Sequence, residues 1–229
     1  MYKIILSACL VLSALTLAKS QSNSVQTPVI YLIYLKNGGP FDKECGLSMN
    51  KPVKQEDADE ILRRLNEFQK LWDTEGPVYL KTALNEIRLP FPYKEMQATL
   101  TACDFTAMSS PLIIPMKNFL SSAEKPRPLW AFPEILFHEI MHTYTRSVYE
   151  VSAMRQKYAS EPAVVLNHLH VMALEKMVLL KMNKTEIYSW LDNRYRNGIP
   201  EYKRAWEIVN DIEGYEVFIK ELKTQQSRK

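Results

Sequence analysis

The chain has 229 residues, of which 46% are hydrophobic and 24% charged, enough apolar material for a packed core and too much for a disordered protein. Its 29 basic residues nearly balance 26 acidic ones, so the basic surplus that grips nucleic-acid phosphates is absent. The length suits one sizeable domain, and six glycines beside abundant Leu, Glu and Lys favour helix over strand.

Residues 1–20 read as a secretory signal peptide. Lys3 gives a minimal basic start, residues 4–18 a short apolar core, and Ala18-Lys19-Ser20 a small-x-small cleavage site. The apolar run is short for a membrane span, and polar Gln21-Ser22-Asn23-Ser24 follows. The expected mature protein is therefore a single domain over residues 21–229, secreted or periplasmic, with no stable membrane span after cleavage. Loss of Lys3 and Lys19 leaves 27 basic residues against 26 acidic. Cys9 leaves as well, so Cys45 and Cys103 remain as an even pair in an oxidising compartment. They are expected to form a disulfide, with two buried free thiols as the alternative.

Residues 29–35 (Val-Ile-Tyr-Leu-Ile-Tyr-Leu) form a short apolar, β-rich run, the profile of a central strand buried on both faces. Asn37-Gly38-Gly39-Pro40 breaks it. Residues 55–72 are amphipathic, with Ile61, Leu62, Leu65, Phe68 and Leu71 at helical spacing, and a second helix is expected over 77–87. Residues 97–103 alternate polar and apolar, as a half-buried strand does. Leu112-Ile113-Ile114, flanked by Pro111 and Pro115, reads as an edge strand. Residues 121–128 form a polar connection. The next helix should start near Pro133 and run to about Tyr149, with Glu134 placed to favour the helix dipole. A helix over 162–182 is apolar nearly all round and belongs at the centre of a domain. Two further helical segments follow residue 185, separated at Asn197-Gly198-Ile199-Pro200.

The chemistry lies in Phe137-His138-Glu139-Ile140-Met141-His142, an H-E-x-x-H sequence in an apolar helical run. Positions four apart lie one above the other on a helix, so His138 and His142 can grip one ion. Glu139 projects about 100° round the helix, where it can act as general base on a metal-bound water. All four histidines of the chain (His138, His142, His168, His170) fall between positions 138 and 170.

This stretch resembles the metal-binding helix of the zincin metallopeptidases, over about residues 130–182. The glycine and third histidine that follow the motif in metzincins are absent from residues 147–154. The resemblance therefore implies the branch whose third ligand comes from a later helix. It also implies an α+β, helix-rich zincin-like fold, with a small mixed sheet and a helical C-terminal part, and Zn2+ as cofactor. Glu139 would be the catalytic base, and the substrate a peptide or protein.

Candidates for the third ligand are Glu161, His168 and Glu175, seven apart and so on nearly one stripe of the 162–182 helix. They lie ~10 Å apart along the axis, so only one should reach the ion. Glu161 has the spacing of the glutamate-ligand zincins but precedes Pro162 and should cap the helix. His168 sits two turns in, with Glu175 behind it as support. His168 is the expected ligand, Glu161 second and Glu175 third, while His170 projects elsewhere. Tyr144, Tyr149, Tyr158 and His170 are candidate donors to a developing oxyanion. Two other readings stand beside the peptidase. One is a zincin-like scaffold that binds metal without peptide hydrolysis; the other is an exported helical interaction protein without metal.

Overall fold

The computed structural model describes residues 25–35, 41–44 and 52–224. The signal-peptide reading of residues 1–20 and the mature start at Gln21 lie outside the described residues, as does Cys45. Cys103 is disulfide-bonded.

The fold is α+β: a four-stranded mixed sheet beside a larger helical body. The strands are β1 (Val29–Ile33), β2 (Glu95–Thr101), β3 (Met108–Ser109) and β4 (Leu112–Pro115), in the order β1-β2-β4-β3. β2 runs parallel to both β1 and β4, and β3 closes antiparallel on β4. A parallel β1–β2 pair needs a long crossover, supplied by helix α1 (Gln55–Ile87).

Two strand expectations are corrected. Residues 29–33 form an edge strand rather than a central one: Ile30 and Leu32 are buried, whereas Val29 and Tyr31 are about half exposed. A run of apolar residues does not distinguish burial on two faces from burial on one. The open edge is blunted by α1, where Gln69 accepts from Leu32 N (2.7 Å) and donates to Ile30 O (3.0 Å). Conversely, residues 112–115 form an interior strand, because Pro111 and Pro115 fall at its ends and interrupt no ladder bond. The edge beside the histidine helix is the two-residue β3.

Residues 55–87 form one helix, not two. It passes through Pro77 because the preceding residue is Gly76, which lacks the Cβ that a following proline ring would crowd. The same position lets the Trp72 ring lie against the backbone, 2.5 Å from where a Cβ would be. α1 ends at Arg88, which takes the left-handed conformation (φ 60°) and donates its N–H to Leu84 O at 2.7 Å.

Helices α2 (Ala131–Thr145) and α4 (Ala163–Lys181) form the centre, packed on each other and on α1. α4 is apolar on every side, with Leu169, Val171, Met172, Leu174 and Val178 fully buried. A 3-10 segment (Arg146–Val151) and the short α3 (Ala153–Lys157) connect the two. α5 (Thr185–Arg196), α6 (Pro200–Glu207) and α7 (Tyr215–Thr224) wrap around α4. A π-helical turn (Ile208–Ile212) leads to Gly214, whose φ of 79° starts a third C-terminal helix where two were expected.

Candidate metal centre

The histidines meet where α2 crosses α4. His138 and His142 lie one turn apart on α2, with ring centroids 4.9 Å apart. From α4, His168 comes within 5.2 Å of the first ring and 4.7 Å of the second. Ligand nitrogens of all three lie within 4.8 Å of one another, and the Nε2 atoms of His138 and His142 are 3.2 Å apart. A tetrahedral zinc with bonds of ~2.0–2.1 Å places its nitrogen ligands ~3.3 Å apart, so the trio fits with a small closing movement.

The hydrogen bonds fix which nitrogen faces inward. His138 Nδ1 donates to Glu175 Oε1 at 2.8 Å, and Tyr195 Oη donates to Glu175 Oε2 at 2.9 Å. His168 Nδ1 donates to Val164 O, one turn back on α4, at 2.7 Å. Metal-binding histidines are held in this way, with the second N–H committed to a carboxylate or a backbone carbonyl. All three rings are held neutral. Burial, then the Arg194 charge, lowers His138 to about 3. Burial, then His138, lowers His168 to about 3. His142 falls further, through burial and then its two neighbours. Converging lone pairs repel one another unless a proton or a cation lies between them.

Three buried acids surround the cluster. Glu139 is next to His138 on α2 and 5% exposed, and burial followed by the charge of Glu175 pushes it up to about 8. Burial raises Glu175 to about 7, against hydrogen bonding from Glu134 and Tyr195 and the charge of Arg194. Glu134, one turn before His138, is 2% exposed. Burial and then Glu175 raise it well above the carboxylate range. Its expected service to the helix dipole is thus overlaid by a place in the buried network behind His138. The guanidinium of Arg194 stands 3.6 Å from its Oε2.

Among the other residues singled out in the sequence, Glu161 stays away from the cluster. It accepts from Arg204 Nε at 2.8 Å, because its position before Pro162 turns it outward to α6. His170 faces the opposite side of α4, where it is buried edge-on against Phe218 and donates from Nε2 to Glu221 at 2.7 Å. The proposed oxyanion donors are engaged elsewhere. Tyr144 donates to Leu89 O and Tyr149 to Asn167 O, both at 3.0 Å, and Tyr158 donates to Glu213.

Instead, the tyrosine over the cluster is Tyr202 of α6, whose ring centroid lies 4.3 Å from that of His168. Burial and the nearby charge of Glu139 raise it to about 12. Nothing in the sequence marks Tyr195, Tyr202 or Arg194, which reach the site from α5 and α6. Only Glu134 carries a local signal, being four residues before His138.

The chain matches no family model, no curated protein and no solved structure. The likeness to zincins therefore rests on the H-E-x-x-H motif and the side chains around it.

Proposed function

We propose that this chain is an exported, zinc-dependent peptide-bond hydrolase. The observation that carries the reading is the convergence of His138, His142 and His168, with Glu139 beside them on the same helix. Three neutral imidazoles are the donor set of a catalytic zinc with an open fourth position. A bound ion there supplies Lewis acidity, lowering the pKa of a water and polarising a carbonyl. The positive charge of a bound ion would favour the ionised form of Glu139, offsetting the burial that raises it, and the carboxylate would then accept the proton of the attacking water and return it to the leaving amine. Glu175 holds the His138 ring through Nδ1 and is itself fixed by Tyr195. His142, the least buried of the three histidines, marks the side from which a substrate enters.

The test is metal analysis of protein purified without added zinc, followed by turnover of a broad peptide library with and without chelator. Bound zinc with chelator-sensitive cleavage is expected. Glu139→Gln should keep the metal while cleavage falls by several orders of magnitude, since the amide retains shape and loses the base. Full activity in that variant would refute the role of Glu139. Bound metal without cleavage would favour a binding scaffold, and no metal would end the reading.

A further inference from the structure

A cavity of about 350 Å3 opens between α5 and the loops before α2, lined by Asn118, Lys125, Arg127, Trp190, Asn193 and Arg194. Three of these six side chains are cationic, and none is acidic. We propose that this cavity is a binding site for a small oxyanion of the phosphate or carboxylate class, clasped between the guanidinium groups of Arg127 and Arg194.

Neither guanidinium group has a hydrogen-bonded acceptor among the described residues. Arg127 makes no side-chain hydrogen bond or ion pair among the described residues, although Glu134 and Asp104 lie near enough to act on it through space. Arg194 has one carboxylate within ion-pair distance, Glu134 Oε2 at 3.6 Å, beyond hydrogen-bond distance, and Glu175 acts on it through space. Two half-buried planar forks, each with five N–H donors, thus line one cavity. Burial and then the charge of Arg194 both disfavour the cation on Arg127. An oxyanion between them relieves both costs, because guanidinium groups bind such oxygens bidentately.

The cavity is also braced. Arg194 lies over the Trp190 ring at 5.3 Å, and Trp190 packs edge-on against Trp130, also at 5.3 Å. The backbone N–H of Arg127 donates to Asn118 O at 2.7 Å, which ties the two loop residues of the lining together. The amides of Asn118 and Asn193 add neutral donors at the rim. The lining contains none of the three histidines, although Arg194 also lies 3.6 Å from Glu134 in the network behind His138.

Isothermal titration of inorganic phosphate and of acetate into the purified protein, at constant ionic strength in chloride, tests the assignment. Saturable phosphate binding is expected, weakened at least about tenfold in Arg127→Gln. It should be unchanged in Arg63→Gln, an exposed arginine on α1, and in His168→Ala. Acetate binding tighter than phosphate, with the same dependence on Arg127, would support the site with a carboxylate occupant. Binding lost in His168→Ala but kept in Arg127→Gln would put the anion at the histidines and overturn the proposal. Equal affinity in Arg127→Gln and the parent protein, or no saturable binding of either anion, would overturn it too. Arg194→Gln should behave as Arg127→Gln does; Arg127, which bonds to no core side chain, decides the matter if that variant does not fold.

Discussion

Replacing His168 by alanine separates the three candidate ligands most sharply. The variant removes one of three converging nitrogens, the Nδ1 bond to Val164 O and the ring contact with Tyr202. Zinc bound by protein ligands is worth roughly 10–16 kcal/mol in small domains. One ligand of three therefore carries about 3–5 kcal/mol, or roughly 10²–10⁴-fold in affinity. Glu175→Gln should cost less. The amide oxygen still accepts from His138 Nδ1, but the charge behind the ring is lost, a support worth about 10–100-fold. Glu161→Ala removes only the pair with Arg204 and should leave affinity unchanged. Competition with a chromogenic chelator at fixed pH reads all three, with circular dichroism to verify the fold. The order His168→Ala, Glu175→Gln, Glu161→Ala is expected. Loss of metal in Glu161→Ala equal to that in His168→Ala would refute the assignment and place the chain with the glutamate-ligand zincins.

Gly76→Ala should destabilise the protein by about 1–3 kcal/mol in urea unfolding, because the new methyl meets the buried Trp72 ring at 2.5 Å; a neutral change would mean that the ring shifts freely. Glu221 sets an acid limit. Burial pushes it up, but hydrogen bonds from His170 and Ser152 hold it down at about 2, against ~4.3 for an ordinary glutamate. Its stabilising contribution is full above pH ~4.3 and is lost as pH falls through ~2. Glu221→Gln should flatten that part of the stability–pH curve, and an unchanged curve would contradict the linkage. Intact mass of protein recovered from an oxidising compartment, before and after reduction and alkylation, should show a start near Gln21 and one bridge between Cys45 and Cys103. Two free thiols would exclude the bridge.

Much of the helical body is legible from local periodicity. The i, i+4 spacing of His138 and His142 fixes their common direction as soon as α2 forms, whatever packs against it. The unbroken apolarity of residues 163–181 requires a central position, which α4 occupies. The sheet is less legible. Strand order depends on which segments pair, β1 with a strand more than sixty residues on and β4 with strands on both sides of it, so residues 29–33 and 112–115 exchange their expected edge and interior places. The continuity of residues 55–87 through Pro77 depends on Gly76, which removes the steric conflict that the proline would otherwise create.

By itself the sequence determined which residues share a face of their own helix: His138 with His142 and Glu134 on α2, and His168 with Glu175 on α4. It left open which of those faces meet. The crossing of α2 over α4 decides that, setting His168 against the His138 ring and Glu175 against its Nδ1. The same crossing leaves Glu161 to Arg204 and brings Tyr195, Arg194 and Tyr202 to the cluster from α5 and α6. A side chain's direction on its helix follows from backbone geometry within a few residues. Its partners follow from how the whole core closes, and that depends on contacts far apart in the chain.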